Sequence, residues 1–142
     1  MSSIFTRIIA GELPGRFVWR DDAVVAFLSI APVTTGHVLV VPVEEVDHWI
    51  DLDPATWGRV MEVALHVGRA LSDAFAPPRV GQMIAGFEVP HVHVHVLPAY
   101  GLDDIGFGGV DPSPDSAEMD AAALRIRSAL RAAGHGPVVP NA

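Results

Sequence analysis

The chain contains no cysteine, so disulfides, thiolate zinc sites and cysteine nucleophiles are excluded from the outset. It contains no lysine either. All nine basic residues are arginines, which excludes lysine Schiff-base chemistry and a lysine nucleophile. Amide side chains are nearly absent, with Gln82 and Asn141 the single members of their kinds. The formal net charge of −8 opposes binding of a long nucleic acid, whose phosphate contacts need a basic surface. No apolar run approaches the roughly 18 residues that cross a bilayer, so no membrane partner is expected. No charged leader followed by an apolar core opens the sequence, and the expected setting is cytoplasmic. Phosphate-binding glycine loops of the P-loop or dinucleotide kind are missing as well. At 142 residues, half of them apolar, the chain is expected to form a single domain over 1–142.

What the chain does have is imidazole. In His91-Val92-His93-Val94-His95-Val96-Leu97 three of its seven histidines alternate with apolar residues. A period of two is that of a β-strand, and it puts the three rings on one face and the valines on the other. Pro90 and Pro98 flank the run and predict a strand over 90–97. Neighbouring ring carriers are then roughly 7 Å apart, at about 3.3 Å rise per residue.

Around this run the pattern is of short elements. Ile4 to Ala10 reads as a helix closed by Gly11. Phe17–Trp19 and Ala23–Leu28 read as strands joined at Asp21-Asp22, and His37–Val41 as a third strand ended by Pro42. Asp53 caps a long helix with Pro54 at its first position, and Trp57, Val60, Met61, Ala64, Val67, Leu71 and Phe75 form its apolar stripe. Pro77-Pro78 stops it. A fourth strand is expected over 80–85, a loop over 100–114, and a last helix capped by Ser116 and ended by Gly134, with a frayed tail beyond. Five short strands with a long helix between the third and fourth make an α+β domain with mostly antiparallel pairing. Its core spans about 3–100, with a C-terminal loop and helix over 101–134.

Three readings of the triplet compete. The rings could be buried structural histidines. They could hold a metal ion, since His-x-His on a strand offers two nitrogens to one ion, although a straight strand rarely converges three. Or His93 could be a nucleophile flanked by helpers, which uses all three residues. A neutral imidazole attacks through one nitrogen while a carbonyl holds the proton on the other. A flanking imidazole can bond a phosphate oxygen and stabilise charge in the transition state. His37, opening a strand after Gly36, is either an exposed strand-end residue or a fourth member. His48, His66 and His135 read as structural.

The run fits the H-φ-H-φ-H-φ-φ signature and resembles the histidine triad family of nucleotide-binding proteins. Ile4-Phe5 with Ile8 to Pro14, Ala26 to Pro32, Gly36 to Pro42 and Ala85 to Pro90 are similar to further family segments, in collinear order over residues 3 to 100. The resemblance implies a five-stranded antiparallel sheet, usually paired into a homodimer, and nucleotide hydrolysis or transfer through a nucleotidyl-histidine intermediate. It implies no cofactor and a purine nucleotide or its conjugate as partner. Carried over by position, His93 attacks the α-phosphorus, His95 binds phosphate oxygens, and His91 and His37 orient the nucleophile. Ile4, Phe5, Ile8, Phe27 and Ile30 line a slot for the base, with Gly86 and Glu88 beside the phosphates. Two departures touch the substrate: Ser29 stands at the ribose position, and Gln82 is the sole candidate for an upstream amide. They leave a binding module with weak catalysis as the alternative function. Ser3 and Thr6 occupy the places of a Cys-x-x-Cys zinc pair found in many relatives, so no metal is expected.

Overall fold

A computed structural model describes residues 2–142. Its sheet has five antiparallel strands in the order β1-β2-β3-β5-β4. They are β1 (Phe17–Arg20), β2 (Val24–Leu28), β3 (Val38–Pro42), β4 (Arg79–Met83) and β5 (Val94–Ala99). Three helices accompany it, α1 (Ile4–Ile9), α2 (Pro54–Phe75) and α3 (Ser116–Ala132). The α+β class and the five strands agree with the expectation.

Period-two alternation divides the sheet into two apolar faces. Val24, Ala26, Leu28, Val38, Val40, Val94 and Val96 point to α2 and α3 and form the larger core with Val67, Leu71 and Ile126. Phe17, Val25, Phe27, Leu39 and Val41 point the other way and pack against Phe5 and Ile8 of α1. β5 lies beside β3, with His95 opposite Leu39, so the triplet belongs to the α1 face. Asp21 sets the β1–β2 turn by accepting the Ala23 and Val24 N–H groups, each at 2.8 Å. Asp53 caps α2 through the Ala55 N–H, and Pro54 occupies the first turn as its sequence requires.

Five local expectations are corrected. The fifth strand begins at Val94 rather than Pro90, because the Val92 N–H bonds the Val46 carbonyl, outside the ladder, and the His91 carbonyl is taken by a side chain. It runs through Pro98, which sits beyond the paired end of β3; the Pro98 carbonyl is satisfied by the Thr34 hydroxyl, so a missing N–H on that side breaks no ladder bond. The fourth strand begins one residue earlier and ends two earlier than expected, as Arg79–Met83. Finally, Asp115, not Ser116, caps α3 by accepting the Glu118 N–H at 3.0 Å, while the Ser116 hydroxyl accepts from Arg16. The tail is not frayed throughout, since Val139 joins the core.

The remaining histidines have structural places. His48 caps a short 3₁₀ turn, Trp49–Asp51. His66 stacks on Trp19, and His135 packs against both on the helical side of the sheet.

Candidate active site

Three segments bring the four remaining histidines together on the α1 face. β5 carries His95, the turn before it carries His91 and His93, and the loop entering β3 carries His37. Gly36 permits that entry: its φ is +96°, and a Cβ there would come within 2.7 Å of the Phe75 ring. All four imidazoles are buried. The rings of His93 and His95 meet edge to face at 4.9 Å, and Phe5 stands 4.9 Å from His93.

Hydrogen bonds fix the proton on each ring. Carbonyls only accept, so the 2.7 Å contact between His93 Nδ1 and the His91 carbonyl requires a proton on Nδ1. His93 Nε2 is then a lone pair. The Val33 N–H donates to His37 Nδ1 at 3.0 Å, which leaves the His37 proton on Nε2. That Nε2–H lies 2.9 Å from His95 Nδ1 and donates to it, so the proton of His95 is on its Nε2. Among the described residues every buried side-chain nitrogen and oxygen has a partner. The Nε2 atoms of His93 and His95 have none, so they are the atoms that open outward. The site therefore presents one lone pair beside one N–H donor.

Burial keeps these rings neutral. It pushes His37 down to about 4, helped by the neighbouring His93. His95 falls to about 3, first through burial and then through His93 and His37. Burial also lowers His93, partly offset by its bond to the His91 carbonyl. Unfolded imidazoles titrate near 6.5, so in mild acid the unfolded chain binds more protons than the folded one. Stability from these rings is complete above about pH 6.5 and is lost as pH falls toward the folded values. The urea midpoint should accordingly be lower at pH 5 than at pH 7.5, and a His37→Asn variant should show a shallower fall. Equal midpoints at the two pH values would overturn this account.

Two cavities meet at His93 and His95. The larger, about 560 Å³, is lined by Ile4, Phe5, Ile8, Phe27, Ser29, Ile30 and Glu88 together with both rings. The smaller, about 250 Å³, is lined by Ser29, His37, Gly86, Glu88, Phe107 and the same two rings. Of the residues singled out from sequence, all but two therefore line one or both cavities. His91 lies behind them, supplying its carbonyl to His93 and donating its Nε2–H to the Pro42 carbonyl at 2.7 Å. Gln82 is a correction. It pairs opposite Val96, whose side chain enters the helical core, and its amide contacts Met61 on α2. Parity alone turns it away from the rings. His37 also has a different partner from the expected one, since it fixes His95 rather than His93. The Ser29 hydroxyl accepts the Ala31 N–H at 3.3 Å.

Other participants were not visible in the sequence. Phe107 approaches the His95 ring edgewise at 4.8 Å from a loop of Gly and Asp residues that bears no periodic signal. Ser3 contacts His91 Nδ1 at 2.7 Å, with Glu45 beside it. Among the described residues no group of three or more His, Asp or Glu is placed to hold a metal ion.

The sheet thus sets an imidazole lone pair beside an imidazole N–H donor at an apolar cavity. The family model of the HIT domain matches residues 10–102. The chain belongs to the HIT, or histidine triad, family. It is 36% identical over 112 residues to the protein named hit of Bacillus subtilis, covering 75% of this chain and 77% of that one. It is 29% identical over 136 residues to the adenosine 5'-monophosphoramidase hnt1 of Schizosaccharomyces pombe, covering 92% and 100%. The structure of a zinc-bound histidine triad family protein from Mycobacterium smegmatis superposes with a TM-score of 0.81 at 25% identity, over 96% of this chain and 98% of that one.

Proposed function

We propose that this chain is a nucleotide hydrolase or transferase acting at the α-phosphate of a purine nucleotide conjugate, through a nucleotidyl-histidine intermediate on His93. The leaving group is an amine, a phosphate or an alcohol, in a phosphoramidate, anhydride or ester. One observation carries the reading: the free lone pair of His93 Nε2 lies beside the free N–H of His95 Nε2, where both cavities meet. The base occupies the slot formed by Ile4, Phe5, Ile8, Phe27 and Ile30, and the phosphates lie toward Gly86 and Glu88. The S. pombe relative, by its name a phosphoramidase, supports the same reaction class. A homodimer belongs to this reading and rests on the family resemblance.

The test is turnover. Purified protein offered an adenosine phosphoramidate and a dinucleoside polyphosphate should release adenosine monophosphate from at least one. A second reading, a nucleotide-binding module with weak catalysis, is favoured by one feature. The ribose-side Ser29 hydroxyl already accepts a backbone bond, and no side-chain amide faces the cavity in Gln82's stead. Tight binding of the monophosphate without release from either substrate would select that second reading.

A further inference from the structure

His91 does not touch the cavities, yet its carbonyl fixes the ring of His93. What fixes His91 is therefore one step from the reacting atom. Its Nε2–H is committed to the Pro42 carbonyl at 2.7 Å, so its Nδ1 is an acceptor. The Ser3 hydroxyl lies 2.7 Å from that nitrogen and is its short donor; Thr6 Oγ1 is at 3.5 Å. Ser3 Oγ also accepts the Thr6 N–H at 3.1 Å, capping α1. Ser3 is itself held. Glu45 Oε1 accepts both the Ser3 N–H and the Thr6 hydroxyl, each at 2.6 Å. The Ser3 hydroxyl proton has its short partner in His91 Nδ1 at 2.7 Å, against 3.4 Å to Thr6 Oγ1, and the chain of bonds runs from Glu45 through Ser3 and His91 to His93.

We propose that Ser3 is a positioning residue for His93, acting through His91, and that Glu45 and Thr6 hold Ser3 in its place. The proposal rests on the reading of His93 as the nucleophile. Removing the Ser3 hydroxyl leaves the buried Nδ1 with only the Thr6 hydroxyl, at 3.5 Å and already committed to Glu45. The His91 ring regains a short bond by turning toward Thr6, which strains its bond to the Pro42 carbonyl, and Thr6 can donate to it only by leaving Glu45. That motion shifts the backbone that aims His93. α1 shifts with it, and α1 carries Phe5, which packs against both rings.

The experiment reads ring nitrogens and turnover together. In ¹⁵N-labelled protein His93 should show a single Nδ1–H tautomer and His91 a single Nε2–H tautomer. Ser3→Ala should move the His93 ring resonances and mix the His91 tautomers. It should also lower kcat about tenfold, short of the order of 10² that an ångström of misplacement costs, with KM little changed. Glu45→Ala, at an exposed position, should move the same signals less, and it carries the test if Ser3→Ala does not fold. Wild-type ring shifts and kcat in these variants, with only a lower melting temperature, would mean that Ser3 merely caps a helix, and the proposal would be overturned. If the wild-type protein turns over no nucleotide, the functional reading fails, while the ring resonances still decide whether Ser3 positions His93.

Discussion

His93→Ala should lower kcat on the phosphoramidate by roughly 10⁴-fold or more while the protein still binds adenosine monophosphate. The size follows from the chemistry assigned to that ring. In the proposed reaction its Nε2 lone pair attacks the α-phosphorus, a nitrogen–phosphorus bond forms, and the bond to the leaving group breaks. The leaving group departs with its electron pair and takes a proton from solvent. The Nδ1 proton stays on the ring, shared with the His91 carbonyl, so the intermediate is a cation whose positive charge faces a carbonyl dipole. Water then attacks the phosphorus and loses a proton to solvent, the nitrogen–phosphorus bond breaks with its electron pair returning to the ring, and neutral imidazole is left as the monophosphate departs. No other described side chain offers a free imidazole lone pair to the cavities, so alanine removes the path rather than slowing it. Binding should survive, because Ile4, Phe5, Ile8, Phe27 and Ile30 keep the apolar lining of the slot when the His93 ring, one part of its wall, is removed. Rapid quenching with a substrate labelled at the α-phosphate should leave acid-labile label on the wild-type protein and none on the variant. Wild-type turnover by a folded His93→Ala protein would refute the assignment.

The period of two placed His95 on its face and the valines on the other, because alternation is a property of the extended backbone and needs no partner to be known. It misplaced the start of the strand. His91 and Val92 spend their backbone groups on the His93 ring and on Val46, and these bonds depend on where distant segments lie. The same distinction separates the readings of the site. Residues whose role is to line a surface, such as Phe5, Phe27 and Gly86, were legible from pattern and resemblance. Gln82 was named for its chemistry alone, and the register opposite Val96 sends it to the wrong face. Ser3 and Thr6 were read only as positions lacking cysteine. Their use emerges through Glu45, about forty residues away, and through His91, nearly ninety away. No local signal encodes such a contact. Phe107 belongs to the same class, carried by a loop whose docking depends on a bond from the Asp111 N–H to the Pro32 carbonyl.

His95→Ala should cost about 10²–10³ in kcat, the usual price of one donor aimed at developing charge. The tautomer chain says more than the size. With its proton on Nε2 and its titration pushed down to about 3, His95 works as a neutral N–H dipole rather than as an imidazolium. His95→Gln keeps an N–H donor of similar reach and should recover part of the loss. His37→Ala leaves the His95 ring in the cavity but removes the donor that holds its Nδ1 as an acceptor. The ring then divides between two tautomers, one of which points a lone pair at the phosphate, and a loss smaller than that of His95→Ala is expected. The pH profile separates a dipole from a cation. A neutral His95 gives a kcat that holds steady as the pH is lowered from 7.5 into mild acid, since burial also lowers His93 and preserves its lone pair there. An imidazolium at His95 would make kcat climb through the same range as the ring gained its proton. A climbing profile that vanished in His95→Gln would show that the ring acts as a cation and would break the proton chain drawn from Val33 through His37.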